Sequence, residues 1–312
     1  MSGRRACTRA TVNTHVRITH LNCSGGRMLR GGALVGDVRP AERPDSEQLR
    51  GHARDDPPRL PTVIRIAAFS GEAPSRPRTI ACGVFDGVHR GHQAVISGCD
   101  TVVTFDRHPR GMLAEAPPRL ATTQLMRERL AALAVREIVL LEFDSNMRQM
   151  PPDAFASQIL ARRLQADSVR VGSNFRFGKD GAGRPRDLGG HGFAVEVQPL
   201  VEQGGTPISS STIRSLVSAG EVERARQMLG CPHEVALISP ANPALDAGIR
   251  LVEDGHAAPA TGRYNCLVAT AVGGWVPRQV SFAGGVAEIA GFADGPPLPD
   301  HALAVQLLEC ID

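Results

Sequence analysis

The segment from Thr79 to His92 constrains the fold of this chain more than any other, because a short apolar run leads directly into a glycine-rich turn. Residues 79–85 read Thr-Ile-Ala-Cys-Gly-Val-Phe, and residues 83–92 read Gly-Val-Phe-Asp-Gly-Val-His-Arg-Gly-His. This pattern predicts a buried strand, a tight turn and the start of a helix. Backbone N–H groups and the positive end of the helix dipole at such a start form a site for phosphate oxygens.

Strands and helices alternate downstream of this turn. Further strands are predicted over residues 100–105, 137–143, 168–172 and 193–201, and helices over residues 122–134, 153–164, 212–219 and 222–229. Alternation of this kind predicts an α/β domain whose parallel sheet is covered on both faces. After Pro232, short alternating runs predict a small all-β barrel or sandwich, with strands over residues 234–238, 249–253, 264–271, 276–282, 286–289 and 304–308.

Three regions follow from this pattern: an arm over 1–76, an α/β domain over 77–232 and a β domain over 233–312. The arm is rich in Arg and Pro and shows no sustained period, so we expect it to be disordered. Its first acidic residue is Asp37, a composition found in organellar transit peptides. Two simpler alternatives are that Met28 is the true start, or that the arm is a translated leader without a structural role.

Charge and cysteine content exclude several functions. The first 60 residues carry eleven Arg and six acidic residues, so the remainder of a chain with net charge +3 is mildly acidic. This argues against a nucleic-acid partner. No apolar stretch reaches ~18 residues, which argues against a membrane partner. The only lysine is Lys179, which disfavours Schiff-base chemistry and a Walker-type site, and the seven cysteines form no C-x-x-C pair. We expect a cytoplasmic protein with reduced thiols.

His89 and His92 are the first candidates for chemistry. They lie three residues apart, so both rings can project to one side of the turn. Two imidazoles beside a phosphate site suit stabilisation of a pentacoordinate phosphorus and a departing pyrophosphate, while Gly87 and Gly91 allow close approach of the backbone to a ligand. The alternative is a pair of metal ligands or helix-capping residues.

The string Phe85-Asp-Gly-Val-His-Arg-Gly-His92 resembles the HxGH-type nucleotidylyltransferases, and in particular the bacterial FAD synthetases. Three further segments resemble that family in the same order: Phe105-Asp-Arg-His-Pro109 (with Arg107 where proline is usual), Val171-Gly-Ser-Asn-Phe-Arg-Phe-Gly178, and Ile208-Ser-Ser-Ser-Thr-Ile-Arg214. The resemblance runs from residue 79 to about 233. It implies a Rossmann-like parallel sheet and an FMN adenylyltransferase, which transfers AMP from ATP to FMN with Mg²⁺.

The resemblance also implies roles for individual residues. His89, His92 and Arg214 would be catalytic, and the ATP or phosphate site would comprise Gly83, Phe85, Asp86, Gly87, Gly91, Ser209, Ser210 and Ser211. FMN would be contacted by Asp106, His108, Asn174 and Arg176, and Asp106 would help to place the metal. Simpler alternatives exist, since Arg214 can be a surface ion-pair residue, and Phe175 and Phe177 can be core residues with solvated neighbours.

The chain departs from the family in two places. Only sixteen residues separate Phe85 from Val102, which predicts a first helix of barely two turns, and Val84 replaces a common asparagine. The C-terminal part has no PTAN-like segment and no glycine-rich entry of the kind a flavin kinase uses. We therefore expect a shortened riboflavin kinase-like β-barrel without kinase activity. Two other functions stay open: a catalytically silent nucleotide- or flavin-binding module, and a nucleotidylyltransferase for another phosphate ester.

Overall fold

The computed structural model describes residues 65–68, 76–105, 116–239, 248–271, 273–291 and 302–311. At residues 65–68 and 302–303 only the backbone is described. All of them belong to one unit, Val63–Asp312. Asp106 and His108, the predicted FMN contacts, lie outside the described residues, as does most of the predicted arm.

Six parallel strands form the sheet of the first domain. In chain order they are β1 (Arg65–Ala68), β2 (Arg78–Cys82), β3 (Thr101–Phe105), β4 (Glu137–Leu141), β5 (Ala166–Gly172) and β6 (Ala194–Gln198), and in space they run β1-β4-β3-β2-β5-β6. The connecting helices are α1 (Arg90–Ile96), α2 (Thr123–Ala132), α3 (Ser145–Gln149) and α4 (Pro152–Ala154), which continues into a π-helical segment Phe155–Arg163. This confirms the predicted Rossmann-like α/β class.

Successive side chains of β2 enter two different cores. Ile80 and Cys82 pack with the π-helical segment on one face of the sheet. Ala81 packs with residues of α1 and α2 on the other face. Since side chains alternate along a strand, this arrangement requires apolar residues at consecutive positions, and the unbroken apolar run of β2 supplies them.

The order of the strands reverses at β2. From β2 the chain moves outward through β3 and β4 on one side, whereas β5 and β6 lie on the other side. In open α/β sheets the crevice outside the carboxyl ends of the strands at such a reversal is the usual place for a ligand. The turn that contains His89 and His92 follows β2 at this edge, and the loop that contains Asn174 and Arg176 follows β5.

A closed antiparallel barrel forms the second domain. Its strands are β9 (His233–Ile238), β10 (Ile249–Val252), β11 (Gly262–Ala269), β12 (Trp275–Ala283), β13 (Val286–Ile289) and β14 (Ala302–Cys310), in the order β10-β13-β12-β11-β14-β9. Before it come a hairpin, β7 (Glu202–Gln203) and β8 (Thr206–Pro207), and two helices, α5 (Ser210–Ser218) and α6 (Val222–Leu229). Val222 of α6 packs into the barrel core, whereas Leu229 packs beside α5.

Most predicted elements are present within a few residues of their expected bounds. One correction concerns the arm: β1 lies at Arg65–Ala68, inside the stretch 1–76 that we expect to be disordered, and it pairs with β4 at the edge of the sheet. A four-residue run is too short to show a period in the sequence. Its strand conformation depends on pairing with β4, which the local sequence does not reveal.

Candidate active site

The turn after β2 is held in a strained backbone conformation. Phe85 has φ 54° and Gly87 has φ 80°. Phe85 is 1% exposed, and burial of its ring in the core offsets the cost of the left-handed conformation. A Cβ at Gly83 would lie 2.9 Å from the Phe85 ring. Glycine at position 83 is therefore required for the ring to pack.

The two histidines stack on one another where α1 begins. Their ring centroids are 3.5 Å apart at an interplanar angle of 18°. The His92 ring also contacts the Phe85 ring in a T-shaped arrangement, with centroids 5.2 Å apart. His89 caps the helix, because its Nδ1 accepts a hydrogen bond from the His92 backbone N–H at 3.2 Å. Since Nδ1 is the acceptor, the proton of the neutral ring resides on Nε2. His89 thus presents a neutral N–H donor.

Both imidazoles are neutral at physiological pH. Burial, and to a lesser degree the nearby Arg214 guanidinium, lowers the pKa of His89 to about 4. Burial and the neighbouring His89 hold the pKa of His92 well below its usual range. The His92 Nδ1 atom is buried and has no partner among the described residues. A pair of neutral rings can donate hydrogen bonds to phosphate oxygens without the cost of burying a cation.

Arg214 is brought into the same site from a distant part of the chain. Its Nη1 donates to Asp86 Oδ2 at 2.8 Å, with side chains only 15% and 11% exposed. The other carboxylate oxygen, Oδ1, accepts from the backbone N–H of Leu120 at 2.9 Å. Burial raises the pKa of Asp86, although the Leu120 amide and Arg214 oppose this rise. Arg214 therefore forms an ion pair that is shielded within the site instead of lying on the surface, and its partner lies in the turn itself.

The first turn of α5 meets the first turn of α1. Ser209 caps α5 by accepting from the Thr212 backbone N–H at 3.1 Å, and the Ser210 hydroxyl donates to the Asp86 carbonyl at 3.0 Å. A Cβ at Gly91 would lie 3.3 Å from the carbonyl oxygen of Ile208. The amino ends of both helices thus point at one region, where the two dipoles favour negative charge. Ser211 is exposed on α5.

The loop after β5 separates aromatic from polar side chains. Phe177 is buried and stacks on Phe175 at 5.5 Å, while Asn174 and Arg176 are exposed. Phe177 is therefore a core residue, and Phe175 packs partly buried against the same core. The two polar side chains stand at the carboxyl edge of the sheet, and their contact with FMN stays a prediction.

The described part of the chain holds no group of three or more His, Cys, Asp or Glu side chains able to bind a metal. Asp86 uses both carboxylate oxygens for Leu120 and Arg214. Mg²⁺ commonly binds through one or two carboxylates, water and substrate phosphates. Mg²⁺ stays a prediction, because Asp106, the predicted ligand, is not among the residues described.

Leu120 belongs to the site although no sequence pattern indicates it. Its contribution is a backbone N–H to Asp86, and a backbone contact leaves no residue-type signal. The resemblance implies a phosphate contact for Asp86, whereas its carboxylate oxygens bond to the protein.

Comparison with known proteins agrees with this geometry. A family model described as FAD synthetase matches residues 72–212. The FAD synthetase of Listeria monocytogenes is 30% identical over 209 residues, which cover 61% of this chain and 81% of the relative. The chain belongs to the FAD synthetase family. The resemblance that the sequence motifs carry is thereby confirmed, and FAD synthetases are nucleotidyltransferases.

This FAD synthetase family member also matches bifunctional relatives over part of their length. The bifunctional riboflavin kinase/FMN adenylyltransferase of Listeria monocytogenes is 33% identical over 50% of this chain and 54% of the relative. The chain therefore spans about half the length of that protein. Among solved structures, one titled macrolide-efflux protein from Streptococcus pneumoniae superposes with a TM-score of 0.68 at 21% identity, over 80% of this chain and 90% of the other. That likeness concerns the fold alone. Within the described residues, no helix combines the length and apolar character needed to cross a membrane.

Proposed function

We propose that this protein is an FMN adenylyltransferase. The FMN phosphate oxygen attacks the α-phosphorus of ATP, a new P–O bond forms, and the bond to the β-phosphate oxygen breaks. FAD and pyrophosphate are the products. The observation that carries the proposal is the convergence of two neutral imidazoles and a guanidinium on the amino ends of α1 and α5, at the reversal point of the sheet.

No protein nucleophile is needed, because the attacking phosphate oxygen is already anionic. Catalysis would consist of alignment and of hydrogen bonds to the charge that builds on the phosphates. His89 offers its Nε2–H, and His92 stacks on it and keeps its orientation. Arg214 offers a planar guanidinium suited to paired contacts with phosphate oxygens. Mg²⁺, carried by ATP, would neutralise part of the phosphate charge.

FMN would bind at the carboxyl edge of β5. Asn174 and Arg176 are exposed there, and Arg176 suits a phosphate. Asp106 and His108 would follow β3, whose carboxyl end lies at the same edge because the strands are parallel. Parallel pairing therefore places the carboxyl ends of β3 and β5 at the edge of the sheet where the histidine turn lies, which supports a flavin site there.

We propose further that the barrel has no riboflavin kinase activity. Glu234–Asp312 contains neither a PTAN-like segment nor a glycine-rich entry. Purified protein given riboflavin, ATP and Mg²⁺ should form no FMN, while the same preparation given FMN should form FAD. FMN formation above a no-enzyme control would overturn this part of the proposal.

The test of the main proposal is incubation of the full chain with FMN, ATP and Mg²⁺, followed by chromatographic separation of flavins and a pyrophosphate assay. FAD and pyrophosphate should appear in equal amounts. Nicotinate mononucleotide and a coenzyme A precursor serve as competing acceptors, and turnover of either in preference to FMN would replace the flavin. Binding of ATP and FMN without any product would indicate a silent binding module.

A further inference from the structure

A segment of the β-barrel contacts the nucleotide site. The connection between β10 and β11 includes residues 255–257, which we call the strap. Arg119 pairs with the strap on both sides: its N–H donates to the Gly255 carbonyl at 2.7 Å, and its carbonyl accepts from the Ala257 N–H at 2.9 Å. The next residue along the chain is Leu120, whose N–H donates to Asp86.

The strap is itself fixed from the barrel. His233 at the start of β9 is fully buried, and its Nε2 lies 2.9 Å from the Ala257 carbonyl oxygen. A carbonyl can only accept, so Nε2 must carry the proton. Ala257 is 5% exposed and Leu120 is fully buried, and both pack in one apolar cluster with Ile213 of α5. Barrel, strap and α5 therefore share a core.

A continuous set of hydrogen bonds results. It runs from His233 to Ala257, through the peptide groups of Arg119 and Leu120 to the carboxylate of Asp86, and from there to Arg214. Each link is between 2.7 and 2.9 Å. The bond of His233 is buried and the two bonds of the Asp86 carboxylate are partly buried, and in such surroundings hydrogen bonds are strong and a missing partner is costly.

We infer that the strap positions Asp86, and through it Arg214, so that the β-barrel serves the nucleotide site as a support. This inference rests on the proposed function, because Arg214 is taken to bind phosphate. Asp86 and His233 are positioning residues: neither needs to touch the substrate. The barrel then has a use in adenylyl transfer that is independent of flavin kinase chemistry.

The test compares two substitutions of similar bulk. His233→Leu removes the donor to Ala257 and fills the space, whereas His233→Gln keeps an N–H. We expect His233→Leu to lower kcat/KM for FAD formation about tenfold, since coupled networks of this kind change activity by roughly 2- to 30-fold. His233→Gln should retain most of the wild-type kcat/KM. Val280→Ala, a cavity in the barrel core, is the control for general destabilisation and should stay within about twofold.

Double variants separate positioning from a merely structural role. In the Asp86→Ala background the path to Arg214 is already broken, so His233→Leu should then change kcat/KM less than about twofold. An equal loss in both backgrounds, or no loss in either, would overturn the inference.

A second measurement does not depend on turnover. Hydrogen exchange of the peptide that contains the Leu120 amide should be faster in His233→Leu than in wild type or His233→Gln. If wild type forms no FAD, the proposed function fails, and this exchange result alone decides the coupling between strap and Asp86. Unchanged exchange at Leu120 in the His233→Leu variant would overturn the inference whether or not the enzyme turns over.

Discussion

Asp86 and Arg214 are 128 residues apart in sequence and form an ion pair of 2.8 Å at the centre of the site. The carboxylate belongs to the turn after β2 and the guanidinium to α5, so the contact joins the two helix starts that converge there. Both side chains are largely shielded from water, where an attraction between charges is stronger than at the surface. The orientation of the guanidinium is therefore set before any nucleotide binds.

Arg214→Lys tests whether this orientation matters. Lysine keeps the positive charge and loses the planar fork that pairs with Asp86 and with phosphate oxygens. We expect kcat for FAD formation to fall about 10²-fold, as for the removal of one donor to a transition state. Steady-state kinetics with varied ATP measure it. Full activity of the lysine variant would show that charge alone suffices.

His92→Ala should lower the rate of FAD formation by ~10²–10³, about 2.7–4 kcal/mol of transition-state stabilisation. The ring is lost as a donor, and His89 loses the stacked partner that lies 3.5 Å away. A coupled pyrophosphate assay measures turnover. His191→Ala is the matched control, since His191 packs on Phe193 away from the turn and its loss should leave turnover near wild type. Normal rates in His92→Ala would remove this residue from the mechanism.

The sequence predicted the fold because its signals are local. The apolar run of β2 lies where residue types predicted it. Helix α2 begins within one residue of its predicted start, and Thr122 caps it by accepting from the Leu125 N–H at 3.1 Å. Helix α6 spans Val222–Leu229, the range predicted from its pattern.

The features of the structure that the sequence did not predict depend on contacts between distant segments. The pairing of β1 with β4, the strap and the Leu120 amide are backbone interactions, and the backbone is the same whatever the side chain. The spacing of His89 and His92 predicted that both rings project to one side of the turn, where the structure shows them stacked. The ion pair between Asp86 and Arg214 required the fold.

The buried histidines predict how stability changes with pH. Burial lowers the pKa of His233 to about 3, whereas an unfolded histidine titrates near ~6.5. The unfolded state thus binds more protons in acid, so the contribution of His233 is present above pH ~6.5 and is lost as the pH falls toward 3. Between pH 7.5 and pH 5 this loss is about 2 kcal/mol for one such group.

Urea unfolding of wild type and of His233→Gln at these two pH values measures the contribution of His233 to the free energy of unfolding. Glutamine does not titrate, so the free energy of unfolding of the variant should fall by about 2 kcal/mol less on acidification. His89, with its pKa lowered to about 4 by burial, acts in the same direction in both proteins and cancels in the comparison. Equal pH dependence of the two proteins would contradict the assignment.

The last prediction concerns the opposite edge of the sheet. Arg78 is fully buried and its Nε donates to Glu137 at 2.9 Å, while Arg76 reaches the same carboxylate at 3.0 Å. Burial opposes ionisation of Glu137, but the two arginines outweigh it and hold its pKa below the usual range. Because Arg78 starts β2 and Glu137 starts β4, the pair ties together strands on either side of β3.

Glu137→Gln removes the carboxylate of a buried ion pair that both Arg78 and Arg76 contact, and this should lower the free energy of unfolding by about 3–5 kcal/mol. Glu221→Gln is the control: it breaks the exposed pair with Arg224 on the surface of α6, which should cost less than about 1 kcal/mol. Urea unfolding at neutral pH measures both. The two losses differ because water screens and solvates Arg224, whereas no water reaches the Arg78 side chain, which is 0% exposed. A loss below about 1 kcal/mol in Glu137→Gln would mean that Arg78 is satisfied by the Leu164 carbonyl, 2.8 Å from its Nη1, and has no need of the carboxylate.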